Sequence, residues 1–212
     1  MEGIMNHEPS AFVPLKAEDF IGPARTIALM LERKAIEAQS NPFPIKMLFF
    51  GSPGTGKTRL VEMFANRLAW HPIAVESTNG RNLTIDVVRR WQDAARYLTI
   101  GGQWTIRIVN ELDTAPQASQ DLVLTLLDEM PPHTAFLGTS NLQLMALSER
   151  FETRLQQFKV EHPSTEEIAG FLTKRWGFPK QRALELAVGS GNNVRAALLD
   201  CQSILDVSRI AA

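Results

Sequence analysis

The chain has a single cysteine, Cys201, among 212 residues. That excludes an internal disulfide framework and suits a reducing compartment. The four histidines, His7, His71, His133 and His162, show no ligand spacing, and one cysteine cannot build a zinc site. No sign of charge dominates: 22 Lys and Arg face 23 Asp and Glu. Bulk charge therefore gives no argument for nucleic acid, and any polyanion contact has to come from a local patch. No run approaches the ~20 apolar residues of a membrane span. The opening MEGIMNHEPS has neither the basic start nor the apolar core of a secretion signal. The expected location is cytoplasmic. What is present is an ordinary globular composition, 44% hydrophobic and 21% charged. Its length suffices for one large domain, or a core domain with a small appendage.

The segment up to about Asp19 carries Pro9 and Pro14 and reads as an extended arm. A helix is expected from about Pro23 to Ala38, with Ile27, Leu31 and Ala35 on one stripe, until SNPFP breaks it. Then strands alternate with helices. KMLFF, PIAVES, TIRIVN, TAFLGTS and LQQFKV read as five strands. RLVEMFANRLAW, Ile85 to Leu98, and about Ala115 to Glu129 read as helices. Short apolar strands alternating with helices mean an α/β fold whose parallel sheet is covered on both faces. From Ser164 the strand signal disappears, and Ser164–Lys174, Lys180–Val188 and Asn193–Val207 read as three helices. The expected division is an arm over residues 1–22, a core over 23–162 and a helical appendage over 163–212.

GSPGTGKT, Gly51 to Thr58, fits G-x-x-x-x-G-K-[ST] in full and lies between a strand and a helix. Glycines let backbone N–H groups converge on phosphate oxygens, and the helix N-terminus adds a favourable dipole. The loop residues Ser52, Pro53, Gly54, Thr55 and Gly56, followed by Arg59, would surround a nucleotide's phosphates. Lys57 would reach the β- and γ-phosphates, and the Thr58 hydroxyl would ligate Mg²⁺.

Other stretches fall at the spacings of a known family. The chain resembles the AAA+ ATPases, particularly clamp-loader subunits such as the small subunits of replication factor C, over about residues 14 to 207. The resemblance implies a three-layer αβα sandwich with a five-stranded parallel sheet, followed by a small three-helix lid, binding ATP and Mg²⁺ between the two. EDFIG resembles the segment that borders adenine, which assigns Phe20, Ile21 and Gly22 to the base; read alone it is a turn before a helix. GTSN puts Asn141 where the family has its first sensor, and such an Asn also serves as a turn residue or helix cap. In LSERFETRLQQF, Arg154 takes the position of the clamp-loader finger, which projects into a neighbour's nucleotide. Arg150 fits the register of other branches, and a solvated arginine is the competing reading for either. NNVRAALLD resembles the second sensor, with Arg195 as the matching residue.

The strand TIRIVN runs into ELD. The family has Asp, which holds Mg²⁺ through water, then Glu, which polarises the attacking water. Here Glu111 remains but Asn110 replaces the Asp, an amide that brings no charge to a hard cation. Asp113 corresponds to the second Asp of the family's D-E-x-D run and offers partial compensation. Either slow hydrolysis with Glu111 as base or ATP binding with little turnover would follow; the expectation is a working ATPase, acting as an oligomeric switch in DNA replication. Its implied partners are other AAA+ subunits, DNA, and a sliding clamp or helicase. The rival is an ATP-binding adaptor that recruits a helicase or transposition machinery. A protein remodeller ranks last, because STNGRNLT offers no aromatic pore loop. Clamp-loader subunits continue past the lid into a helical collar, so the resemblance implies either a longer chain or assembly through AAA+ surfaces alone. Trp70, Trp91, Trp104 and Trp176 lie in or beside apolar runs and are expected in the core rather than on a stacking platform. Arg89 and Arg90, with Arg81 and Arg96, offer a phosphate-contact patch as one reading, and a solvated face is the expected one.

Overall fold

The computed structural model describes residues 11–96, 104–141 and 149–210. His7, Leu98 and the side chain of Arg96 lie outside the described residues. The elements are α1 (Gly22–Ser40), β1 (Ile45–Phe50), α2 (Lys57–Leu68), β2 (Val75–Asn79), α3 (Ile85–Arg96), β3 (Thr105–Asn110) and α4 (Gln117–Asp128). They continue with β4 (Thr134–Ser140), α5 (Glu149–Glu152), β5 (Gln156–Lys159), α6 (Thr165–Trp176), α7 (Lys180–Gly189) and α8 (Val194–Ile210). The strands form one parallel sheet in the order β2-β3-β4-β1-β5. The five-stranded αβα sandwich followed by three helices is the architecture expected from the sequence.

The central strands are apolar on both faces because helices cover both. Met47, Phe49, Ile106, Ile108, Ala135 and Leu137 point into a core shared with α1 and α2. Leu48, Val109 and Phe136, one residue out of phase, point into a second core with α3 and α4. This period-2 split is what buries a strand twice over. Pairing aligns Asn79 with Asn110 and Phe50 with Ser140, so one sheet edge gathers the strand ends that matter below.

The last three helices have their own apolar cluster, containing Ile168, Leu172, Ala183, Leu186, Ala197 and Cys201. α6 opens on a capping box between Ser164 and Glu167 and closes on Gly177 in the left-handed region, φ 74°. The segment before α1 ties this cluster to the sheet. Phe12 is 8% exposed and packs edge-on to Trp176 at 5.8 Å and against Phe171 at 5.6 Å. The Arg175 guanidinium lies over its ring at 4.7 Å. At the other end, the Ala17 N–H donates to Glu32 of α1 at 3.1 Å.

Three local readings are corrected. PIA, expected to start the second strand, is a 3₁₀ turn (Pro72–Ala74), because Pro72 suits the first position of a helical turn and cannot donate to a ladder. Trp70 is 54% exposed rather than core, since α2 ends at Leu68 and Trp70 lies beyond the last inward-facing position. Trp91 and Trp104 are buried as expected. Glu149–Glu152 forms a one-turn helix where no element is expected, since four residues are too few to show a period.

Candidate nucleotide site

β1 feeds a loop that turns on Gly51 (φ 138°), Gly54 (φ 81°) and Gly56 (φ 96°), backbone that side chains resist, and then opens α2 at Lys57. Thr55 Oγ1 donates to the Ser52 carbonyl at 3.0 Å. Lys57 Nζ donates to the Gly51 and Ser52 carbonyls at 2.8 Å each, so the loop is closed on its own ammonium. Burial lowers the Lys57 pKa from 10.5 to about 8; the Arg195 charge pushes the same way, while Asp113 and Glu111 oppose it. Two carbonyl dipoles do not replace the water this cation has lost, and an anion would.

At the end of β3, Glu111 adopts the left-handed region, φ 54°, ψ 51°. Its N–H donates to Thr139 Oγ1 at 3.0 Å, and its carbonyl accepts from the Thr114 hydroxyl at 2.8 Å and the Thr114 N–H at 2.9 Å. The close approach of the β2 end completes this turn: a Cβ at Gly80 would stand 2.1 Å from the Glu111 carbonyl oxygen. The carboxylate is then gripped from both sides. Oε2 accepts from Asn79 Nδ2 at 3.1 Å and Oε1 from Asn141 Nδ2 at 3.2 Å. Asn110 sits beside it in a neutral chain, its Oδ1 accepting from Thr139 Oγ1 and its Nδ2 facing Ser77 Oγ, both at 3.4 Å.

These groups line a cavity of about 600 Å³, a size suited to a nucleotide. Pro53 to Arg59, Asn110, Glu111, Asn141 and Arg195 are among its lining, together with the apolar Phe12, Pro14, Phe20, Ile21, Ala24 and Leu198. Of the residues the sequence assigns to the nucleotide, Gly22 and Ser52 are absent from the lining. Gly22 faces Pro163 instead, 2.7 Å from where its Cβ would be, and Ser52 offers its carbonyl to Lys57. Arg59 lines the cavity while paired with Glu62 at 2.7 Å.

For Mg²⁺, Thr58 and Asn110 face the cavity, but Asp113 does not. One Asp113 oxygen is buried without a hydrogen-bond partner. Of the residues assigned to the metal, those facing the cavity thus offer one hydroxyl and one amide oxygen, and no group of three His, Cys, Asp or Glu among the described residues could hold a metal. This set fits a cation carried chiefly by triphosphate oxygens and water; it does not fit a dedicated carboxylate cage.

The three-helix cluster contributes α8. Arg195 stands in its first turn, exposed and lining the cavity. Asn193 caps the helix, its Oδ1 accepting from the Ala196 N–H at 3.2 Å, and its Nδ2 donates to the Pro53 carbonyl at 3.3 Å. A Cβ at Gly54 would fall 2.0 Å from that Oδ1. Arg154 and Arg150 lie away from the cavity. Arg154 is bound to Asp128, whereas Arg150 is 71% exposed at the side chain and 4.0 Å from Asp121. Arg90 is solvated, its side chain 63% exposed, and pairs with Glu76.

Sequence reasoning missed Asn79, Thr139, Phe12, Pro14 and Asn193. Asn79 and Thr139 carried a usable signal, since both sit at carboxyl ends of strands, where open α/β sheets place ligands.

Fold and loop together define a P-loop nucleotide-binding protein with a helical cluster beside its cavity. Residues 47–160 match the ATPase family associated with various cellular activities (AAA), and the chain belongs to that family. Family membership makes ATP the nucleotide. The chain is 27% identical over 170 residues to Replication-associated recombination protein A of Haemophilus influenzae, covering 79% of this chain and 36% of that protein. It is 33% identical over 84 residues to the Replication factor C large subunit of Halorubrum lacusprofundi, or 39% of this chain and 15% of that one. The chain thus spans well under half the length of both relatives. Its fold is similar to that of the Thermotoga maritima RuvB Holliday junction branch migration motor, with a TM-score of 0.72 at 16% identity over 94% of this chain and 67% of that one. No described helix is long and apolar enough to cross a membrane.

Proposed function

We propose that this chain hydrolyses ATP and works as an oligomeric nucleotide switch on DNA, most like a clamp-loader subunit. The observation that carries the chemistry is the Glu111 carboxylate, lifted by a left-handed turn and held between Asn79 and Asn141 at the mouth of the phosphate loop. A carboxylate so placed is a general base for water attacking the γ-phosphate. Asn141, beside it, orients that water. Lys57 and Arg195 bind the phosphates from the core and from the lid, residues 163–212, which closes over them. Thr58 and Asn110 would hold Mg²⁺, which neutralises charge on the β- and γ-phosphates. Phe20 and Ile21 flank the base. Arg154 serves the nucleotide of an adjoining subunit, supplying charge in the transition state. The names of the relatives, which speak of replication, recombination and Holliday junctions, support DNA as the setting; a sliding clamp or a helicase is the partner class. The test is turnover by the assembled chain with and without DNA. Glu111→Gln is expected to lower it by ~10²-fold or more while leaving ATP affinity intact. Wild-type protein that binds ATP yet never turns it over would sink the enzyme reading.

One observation favours a second reading, an ATP-binding adaptor for a helicase or transposition machinery. Of the residues assigned to Mg²⁺, those that line the cavity are not carboxylates: Thr58 and Asn110 are neutral, Asp113 lies outside the lining, and the Glu111 carboxylate is already committed to two amides.

A further inference from the structure

Most charged pairs outside the cavity are exposed, where such pairs are worth little. One of them has a geometry that stability does not explain. Arg154 turns the side edge of its guanidinium to Asp128, Nε to Oδ1 at 2.8 Å and Nη2 to Oδ2 at 2.9 Å, while Nη1 donates to the Arg150 carbonyl at 3.2 Å. The backbone below is pinned. The Arg154 and Leu155 N–H groups both donate to the Phe151 carbonyl, at 3.2 and 3.0 Å, and Phe151 and Leu155 are buried in the α3–α4 core.

Two features follow from this arrangement. A guanidinium has five N–H donors, and three are engaged here. The two left, one on each Nη, form the end fork, which has no partner among the described residues. Asp128, for its part, is the last residue of α4, where the helix dipole disfavours an anion. Its side chain is 53% exposed, so burial does not account for its presence either.

We propose that Asp128 is a positioning residue: by clamping the side edge of Arg154, it aims the end fork outward, ready to receive phosphate oxygens of an adjoining subunit's nucleotide. The proposal rests on the reading of Arg154 as the residue acting in trans, and it selects Arg154 over Arg150, whose guanidinium has no comparable support. A planar fork matches phosphate best when it is already oriented on encounter.

The experiment uses the full chain at concentrations where turnover per subunit no longer rises. Arg154→Ala, Asp128→Ala, Asp128→Asn and the Asp128→Ala/Arg154→Ala double variant are compared for kcat, ATP Kd and thermal midpoint. Asp128→Ala is expected to lower kcat about 3- to 10-fold, the cost of immobilising one long side chain at each encounter. ATP Kd should not change, since Asp128 is remote from its own cavity. Asp128→Asn, which accepts on one oxygen, should fall between, and the double variant should match Arg154→Ala alone. An unchanged or raised kcat for Asp128→Ala, with Arg154→Ala inactive, overturns the positioning role and leaves the trans arginine standing. Full activity of Arg154→Ala overturns both.

Discussion

Lys57 and Asn110 both line the cavity, and each carries an electrostatic imbalance. Burial holds the Lys57 pKa near 8 in the free protein, and a bound triphosphate restores the charged form. The sign is therefore fixed: below pH 8 the lysine is already protonated and binding takes up little, while from about pH 8 upward each nucleotide must bring a proton with it. ATP affinity should weaken as pH rises through that window. At pH 8, calorimetry in two buffers of different ionisation heat should register uptake of about half a proton per nucleotide. Asn110 is the opposite case, an absence of charge. Asn110→Asp should lower the Mg²⁺ concentration for half-maximal turnover by at least about fivefold and raise kcat, because even a well-screened carboxylate near 4 Å from a cation contributes ~1 kcal/mol or more. An unchanged Mg²⁺ requirement would mean that phosphate oxygens and water already suffice. Both residues were visible in the sequence as departures from, or fits to, a known spacing. Asn79 and Thr139 are recognisable only as strand-end residues, because their roles depend on which strands lie side by side. The Asp128 partner of Arg154 was invisible, since nothing in a sequence relates the end of one helix to a turn in another.

Among the elements, the pairing of β2 with β3 decides where the Glu111 carboxylate stands. Gly80 allows the end of β2 to reach the Glu111 turn, and the space it leaves is filled by the Glu111 carbonyl and the Thr114 hydroxyl. Gly80→Ala should therefore cost about 1–3 kcal/mol in denaturant unfolding, the usual price of overpacking, and should depress turnover as the turn shifts. Gly170→Ala is the control. Nothing lies within 4 Å of its added methyl, and it sits inside α6, so it should be neutral or slightly stabilising. Element types were largely legible because the central strands are rich in apolar residues and α6 carries a capping box and a glycine stop. The misreadings came from an apolar tripeptide, Pro72–Ala74, that satisfied a strand pattern without the donor a ladder needs. Trp70 failed for a related reason: apolarity does not say on which side of a helix end a residue emerges.

In the molecule as a whole, two of the contacts that fasten the three-helix cluster to the rest lie beside the cavity. One is Asn193, which caps α8 and at the same time donates to the phosphate loop. The other is Phe12, seated between Phe171 and Trp176 on a segment that also lines the cavity. The sequence marked where the strands stop and the helical cluster begins, but not this fastening, because a lone Phe in a proline-bearing stretch has no periodicity to betray its partner. The cluster also contains Cys201, fully buried, with burial and the neighbouring Asp200 pushing its thiol up to about 11. Since no other cysteine exists in the chain, this residue is a built-in reporter. A thiol-directed reagent should find nothing to modify in the native protein, and one site per chain once it is unfolded. The slow rate in between measures how often the helical cluster opens. If ATP draws that cluster onto the core, labelling should slow as nucleotide is added. The wild-type sequence would thus time the motion of its own lid, with no residue introduced to do so.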